Sequence, residues 1–160
     1  MLQDISQFIF REAKLLDDRQ YEAWLDLFED DGMYVVPLTE EDRPGRQAAI
    51  VCDNKMAREE RVHHLVHHWF PAQQPPSRTL HFISNVVGEE REGAWHVSTS
   101  QMIYEMRAGD WFQVGLGEVR PIVARVEYIL PMSSQGFRIR EKRILMLDRA
   151  GWQRNLAFIY

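Results

Sequence analysis

The run Val62-His63-His64-Leu65-Val66-His67-His68 places four histidines within six positions. On a helix, His63 and His67 share one face and His64 and His68 the next, because residues four apart are neighbours. Each pair has the spacing to hold a zinc, nickel or copper ion at the surface. A catalytic metal ordinarily needs a third protein ligand, and an iron site of the 2-His-1-carboxylate kind needs a carboxylate. Glu59 and Glu60 are near in sequence, but their spacing does not place either of them. The simpler reading is a solvated or interface-facing helix end, with Val62, Leu65, Val66 and Trp69 on the opposite side.

A second chemistry is acid–base catalysis in an apolar pocket, where burial raises a carboxyl pKa. Asp31, Tyr34, His81, His96 and Tyr104 are the available groups, and no spacing pairs them. Buried, hydrogen-bonded polar residues account for them equally well. A third feature is Arg138-Ile139-Arg140-Glu141-Lys142-Arg143. On a strand, Arg138, Arg140 and Lys142 face one way and Ile139, Glu141 and Arg143 the other. This is either a solvated face with local ion pairs or a charged subunit interface, where arginine adds geometric specificity. Arg78, after Pro75-Pro76-Ser77, is a similar interface candidate. Phosphate-binding glycine loops, nucleophile elbows and dinucleotide fingerprints are absent from the sequence.

Composition narrows the field. The 160 residues suit one domain spanning 1–160 with one core. A balance of 19 basic against 24 acidic residues argues against general binding to nucleic acid or an anionic membrane. The sequence has no apolar run of the roughly 18 residues that a membrane helix needs. Residues 1–10 carry Asp4 and no basic residue, which predicts no secretory signal. Cys52 is the one cysteine, so an internal disulfide is impossible and a reducing cytoplasm is expected. One cysteine also cannot build a Cys-rich zinc site or an iron–sulfur cluster, Rieske type included.

The elements that must position these groups fall into a helical first half and a strand-rich second half, the order expected of an α+β fold. Helices are predicted over 2–16, 20–28 and 53–69, the last capped by Asp53. In the first, Ile5, Phe8, Ile9, Leu15 and Leu16 form one face that Glu12 interrupts. A short strand is predicted over 33–38 and a loop over 39–49. From Ser77 onward the period becomes two, giving strands over 78–87, 95–106, 111–130 and 137–147. Glu92-Gly93 reads as a hairpin turn. Phe137, Ile139, Leu145 and Leu147 are placed on one face of the last strand. The apolar tail 156–160 is expected to dock.

Three segments together resemble the β (small) subunit of bacterial aromatic-ring-hydroxylating dioxygenases. The first is Phe10-Arg11-Glu12-Ala13-Lys14-Leu15-Leu16-Asp17 with Tyr21, Trp24-Leu25, Asp31, Tyr34 and Val36-Pro37. The second is Pro76-Ser77-Arg78-Thr79 leading into Ile83-Ser84-Asn85-Val86. The third is Arg143-Ile144-Leu145-Met146-Leu147-Asp148 with Asn155-Leu156-Ala157-Phe158. The resemblance implies an NTF2-like (cystatin-like) cone, with N-terminal helices packed in a strongly curved, mainly antiparallel sheet. It implies a structural role with no catalytic residue in this chain. A trimer of β subunits would support three α subunits in a hexamer. The Rieske cluster and a mononuclear iron would reside in the α subunit, which converts an arene to a cis-dihydrodiol with O₂. Two other readings stay open: a free-standing cone-fold dehydratase or isomerase using Asp31, His81 or Tyr104, and a small-ligand binding module.

Overall fold

The computed structural model describes residues 1–39, 49–69, 74–109, 115–151 and 158–160. Helix α1 (Leu2–Asp17) buries Ile5, Ile9, Glu12, Ala13 and Leu16, one stripe at helical spacing. Its face therefore includes the acid that interrupts the apolar pattern. Helix α2 (Tyr21–Leu25) is shorter than its periodicity predicts. Phe28 leaves the helix to begin strand β1 (Phe28–Pro37), while its ring stays on Trp24 at 4.9 Å between centroids. Strand β2 (Ala49–Asp53) follows and was not expected. Helix α3 (Lys55–His67) starts one residue later than predicted: Asn54, not Asp53, is the cap, accepting from the Ala57 N–H at 3.1 Å. It stops at His67, so His68 and Trp69 lie beyond its end in extended backbone or outside it.

The second half is a run of strands: β3 (Arg78–Arg91), β4 (Ala94–Met106), β5 (Val119–Ser133), β6 (Gly136–Phe137) and β7 (Ile139–Met146). Together with β1 and β2 they form one curved sheet ordered β2-β1-β7-β5-β4-β3, with β6 on β5. Pairing is antiparallel throughout except β1 with β7, which run parallel. Glu92 and Gly93 both take positive φ, 51° and 78°, the geometry of the two-residue turn that matches strand twist. Strand β3 outruns its predicted end because a bulge between Ser84 and Val87, with Asn85 at φ 53°, resets the pairing and lets it continue.

The register aligns Leu80↔Tyr104↔Pro121 and Phe82↔Met102↔Val123 across three strands, while Thr99, Gln101, Tyr128 and Lys142 point the other way. Helices α1 and α2 pack on that second, inner face. The core lies between them and combines Ile5, Ile9, Trp24, Tyr34, Leu130, Ile144 and Met146 with the tail residues Phe158, Ile159 and Tyr160, all buried. The tail thus docks as expected over its described part. Of the four apolar residues expected on one face of the last strand, Ile139 and Leu145 are buried in β7, Phe137 belongs to β6, and Leu147 is exposed in the turn after Met146. Among the described residues no helix is long and apolar enough to cross a membrane.

Candidate functional site

Among the described residues, the interior of the cone holds a polar network centred on Glu12 and Lys142. Glu12 and Lys142 are each 1% exposed, and Lys142 Nζ stands 2.7 Å from Glu12 Oε1. Glu12 Oε1 also accepts from Trp24 Nε1 at 3.0 Å, and Oε2 accepts from the Tyr128 hydroxyl at 2.8 Å. Gln101 Nε2 donates to the Tyr128 hydroxyl at 2.9 Å and to Thr99 Oγ1 at 3.1 Å. Lys142 Nζ makes a second bond, 2.6 Å, to the main-chain oxygen of Tyr160, whose N–H donates to the Tyr34 hydroxyl. Both carboxylate oxygens and the ammonium nitrogen of the buried pair thereby have partners, the condition under which burial of two charges is tolerated.

Electrostatics follow from the enclosure. Burial pushes the Lys142 ammonium down from the usual lysine range, and the Glu12 carboxylate opposes that. Burial, with the charge of Glu12 beside it, pushes the Tyr128 hydroxyl well up; burial does the same to Tyr34. These tyrosines stay protonated donors at any ordinary pH. Near the wider end of the same face, Glu105 accepts from Ser77 Oγ at 2.6 Å and pairs with Arg120 Nε at 2.5 Å.

The catalytic candidates do not converge. Asp31 is exposed on β1, while His96 and Tyr104 belong to the outer face. His81 faces inward, but its partner is Asp17 at the end of α1, 2.6 Å from Nδ1, a pairing no local spacing signals. Asp17 also accepts from the His81 main-chain N–H and from Thr79 Oγ1. Burial opposes ionisation of Asp17, but these bonds to His81 and Thr79 outweigh it and hold the carboxyl below its usual range. The tie pins the helix end to β3.

The outer face is the reverse. Leu80 is 54%, Phe82 51% and Leu147 76% exposed, and Tyr104, Val119 and Val123 stand open beside them. Leu147, just past the end of β7, donates its N–H to the Val123 carbonyl, so the apolar row Phe82–Met102–Val123–Leu147 crosses three strands and ends beside β7. Beyond it the same face turns charged, with Ser98, Arg125, Glu127, Glu141 and Arg143. Glu127 and Arg143 pair at 3.2 Å.

Residues 11–150 match the ring hydroxylating beta subunit family. The chain belongs to it. Biphenyl 2,3-dioxygenase subunit beta of Rhodococcus jostii (strain RHA1) is 30% identical over 98% of this chain and 87% of its own length. The beta subunit of benzoate 1,2-dioxygenase from Burkholderia mallei ATCC 23344 superposes with a TM-score of 0.78 at 24% identity, covering 99% of this chain and 97% of that one. An NTF2-like protein with a cystatin-like fold from Novosphingobium aromaticivorans gives a TM-score of 0.61 at 17% identity, over 91% and 81% of the two chains. The fold of this β subunit is therefore the α+β NTF2-like cone.

The four arginines expected at an interface, Arg78, Arg138, Arg140 and Arg143, are dispersed. Arg143 lies on the outer face, and Arg78 is exposed at the start of β3, opposite Met106. Arg138 donates to the Phe28 carbonyl and Arg140 pairs with Glu29 at 3.0 Å, so both bind the start of β1 instead. Lys142, expected beside them, is in the core. His63, His64, His67 and His68 are all exposed, and of their supposed apolar backing Val62 is buried, Leu65 half-buried and Val66 and Trp69 exposed. The donor set does not fit an iron–sulfur cluster: Cys52 is the chain's one cysteine, and it is exposed. Among the described residues no group of three His, Cys, Asp or Glu side chains is set to hold a metal ion.

Proposed function

We propose that this β subunit is the structural subunit of an aromatic-ring-hydroxylating dioxygenase and acts in the cytoplasm. Its outer sheet face associates with other copies of the chain into a trimer, and the trimer carries three α subunits. The Rieske cluster and the mononuclear iron reside in the α subunits. There an arene takes up both atoms of O₂, with electrons drawn from NAD(P)H, to give a cis-dihydrodiol. The carrying observation is the uncovered apolar row Phe82–Met102–Val123–Leu147, since a sheet face with this much open hydrocarbon marks an interaction surface. The interior supports the same reading: Glu12 and Lys142 neutralise one another and are enclosed, so neither is poised to take a proton from a bound molecule.

Size-exclusion chromatography with light scattering, on the chain alone and co-expressed with a dioxygenase α subunit, tests this. A trimer alone and a hexamer with the partner are expected, with no arene turnover until both are present. A stable monomer that gains nothing from the α subunit would falsify the assembly role.

A further inference from the structure

The histidines of α3 are close enough to act together. Ring centroids lie 4.8 Å apart for His63 and His67, 4.9 Å for His64 and His68, and 5.2 Å for His63 and His68. An imidazole nitrogen binds zinc at about 2.0–2.1 Å, which sets each ring centroid about 3.2 Å from the ion. Two rings meeting at a metal angle between roughly 90° and 110° then have centroids about 4.5–5.2 Å apart. The His63–His67 and His64–His68 pairs both have that spacing, and what distinguishes the first is the carboxylate beside it. A carboxylate is adjacent: Glu22 Oε1 on α2 is 3.9 Å from His67 Nε2, and both side chains are more than half exposed and free to turn. Three ligands are not gathered as the side chains stand, so the site that fits is a two-imidazole clip whose remaining positions are water.

We propose that His63 and His67 clip one borderline transition-metal ion of the zinc, nickel or copper class, with Glu22 as the carboxylate that balances its charge. The clip closes the last turn of α3 and ties it to α2, and it is independent of how the outer face assembles. Imidazole favours these ions over magnesium or calcium, and copper should bind most tightly of the three.

The test is calorimetric titration of the tag-free chain with zinc chloride and with copper chloride. In H63A/H67A binding weakens by about tenfold or more, whereas H64A/H68A changes by less than about twofold. E22Q, keeping the shape but not the charge, weakens it by about tenfold. Copper-loaded parent protein shows coupling to two imidazole nitrogens in its paramagnetic resonance spectrum, and H63A/H67A loses it. All these side chains are exposed, and unchanged circular dichroism confirms that each variant folds. If the parent binds no more tightly than H63A/H67A, or loses as much in H64A/H68A, the clip is wrong. An E22Q titration identical to the parent overturns the part given to Glu22.

Discussion

Strands β3, β4, β5 and β7 each carry an exception to the usual assignment of polar and apolar: a polar network is set into the apolar inner face, and an apolar row is set into an outer face that turns charged beyond it. Inward lie Glu12, Gln101, Thr99, Glu105 and Lys142, all buried; outward lie Leu80, Phe82, Val123 and Leu147, all exposed. An antiparallel sheet with one solvated face ordinarily alternates the other way. The inner face bears the cost of burying charge because every charged atom there finds a partner. The outer face leaves hydrocarbon open to water, as the proposed assembly requires. The comparison teaches that in this chain the exposed face is the unfinished one, while the Glu12–Lys142 pair within the buried face is satisfied.

The largest effect should come from breaking the inner face. Lys142→Ala leaves Glu12 charged in the core and is expected to cost about 3–5 kcal/mol in urea unfolding. The double variant Glu12→Gln, Lys142→Met removes both charges and keeps one acceptor oxygen, enough for Trp24 or Tyr128 but not for both, and should restore part of that loss. A loss below about 1 kcal/mol in Lys142→Ala would mean that the pair is wetter than its enclosure indicates.

Next comes the outer face. Phe82→Glu with Leu147→Glu should weaken self-association by about a hundredfold or more, equivalent to about 2.7 kcal/mol. Both positions are half exposed or more, so the unfolding free energy of the dissociated chain should move by less than about 0.5 kcal/mol each. Light scattering beside circular dichroism separates the two. Equal loss of association and of fold would erase the contrast between the faces. Arg78→Ala, at an exposed edge of the same face, should show the same pattern with a smaller amplitude.

How much of this contrast is legible in the sequence depends on how local its cause is. The period-two pattern of β3 and β4 and the Glu92-Gly93 turn are local, and they appear where they are expected. Glu12 is visible as an interruption, but its partner is 130 residues away. The alternation of residues 138–143 groups Lys142 with two arginines, and only the register against Tyr128 sends it into the core. Asp17 and His81 are likewise separated by 64 positions. Strand β2 escapes notice because five residues beside a polar stretch carry too little pattern, and its partner β1 supplies the hydrogen bonds. Leu147 reads as core by composition, since no local signal distinguishes an apolar residue facing the core from one facing a partner. The residues that match the family lie in both classes, which is why resemblance identifies the subunit while spacing alone does not.

Asp17 is a smaller test of the inner face, and its sign is fixed by direction. The folded carboxyl titrates below the model-peptide value of 3.8. The stability it contributes is therefore present above that value and is lost as pH falls through the lower folded value. Asp17→Asn should cost about 1–3 kcal/mol at neutral pH, by weakening the bonds to His81 and Thr79. The curves of parent and variant should converge as the medium is made more acid than the carboxyl range. A constant gap between them down to the acid transition would show that Asp17 acts by shape and not by charge.

The smallest effect tests what aligns the two faces. Glu92 sits at φ 51° in the β3–β4 turn, a conformation that asparagine adopts with less strain than glutamate. Glu92→Asn should stabilise the chain by about 0.5 kcal/mol in urea unfolding. The turn lies at the opposite end of the hairpin from Leu80 and Tyr104 and fixes the register that sends Phe82 outward and Gln101 inward. A stronger turn of the same length keeps that register, because a slip by one residue would exchange every side chain between the faces. Association should therefore be unchanged while stability rises. If association shifts with the turn, the hairpin's register is itself adjustable, and the division between a finished and an unfinished face is set in part by assembly.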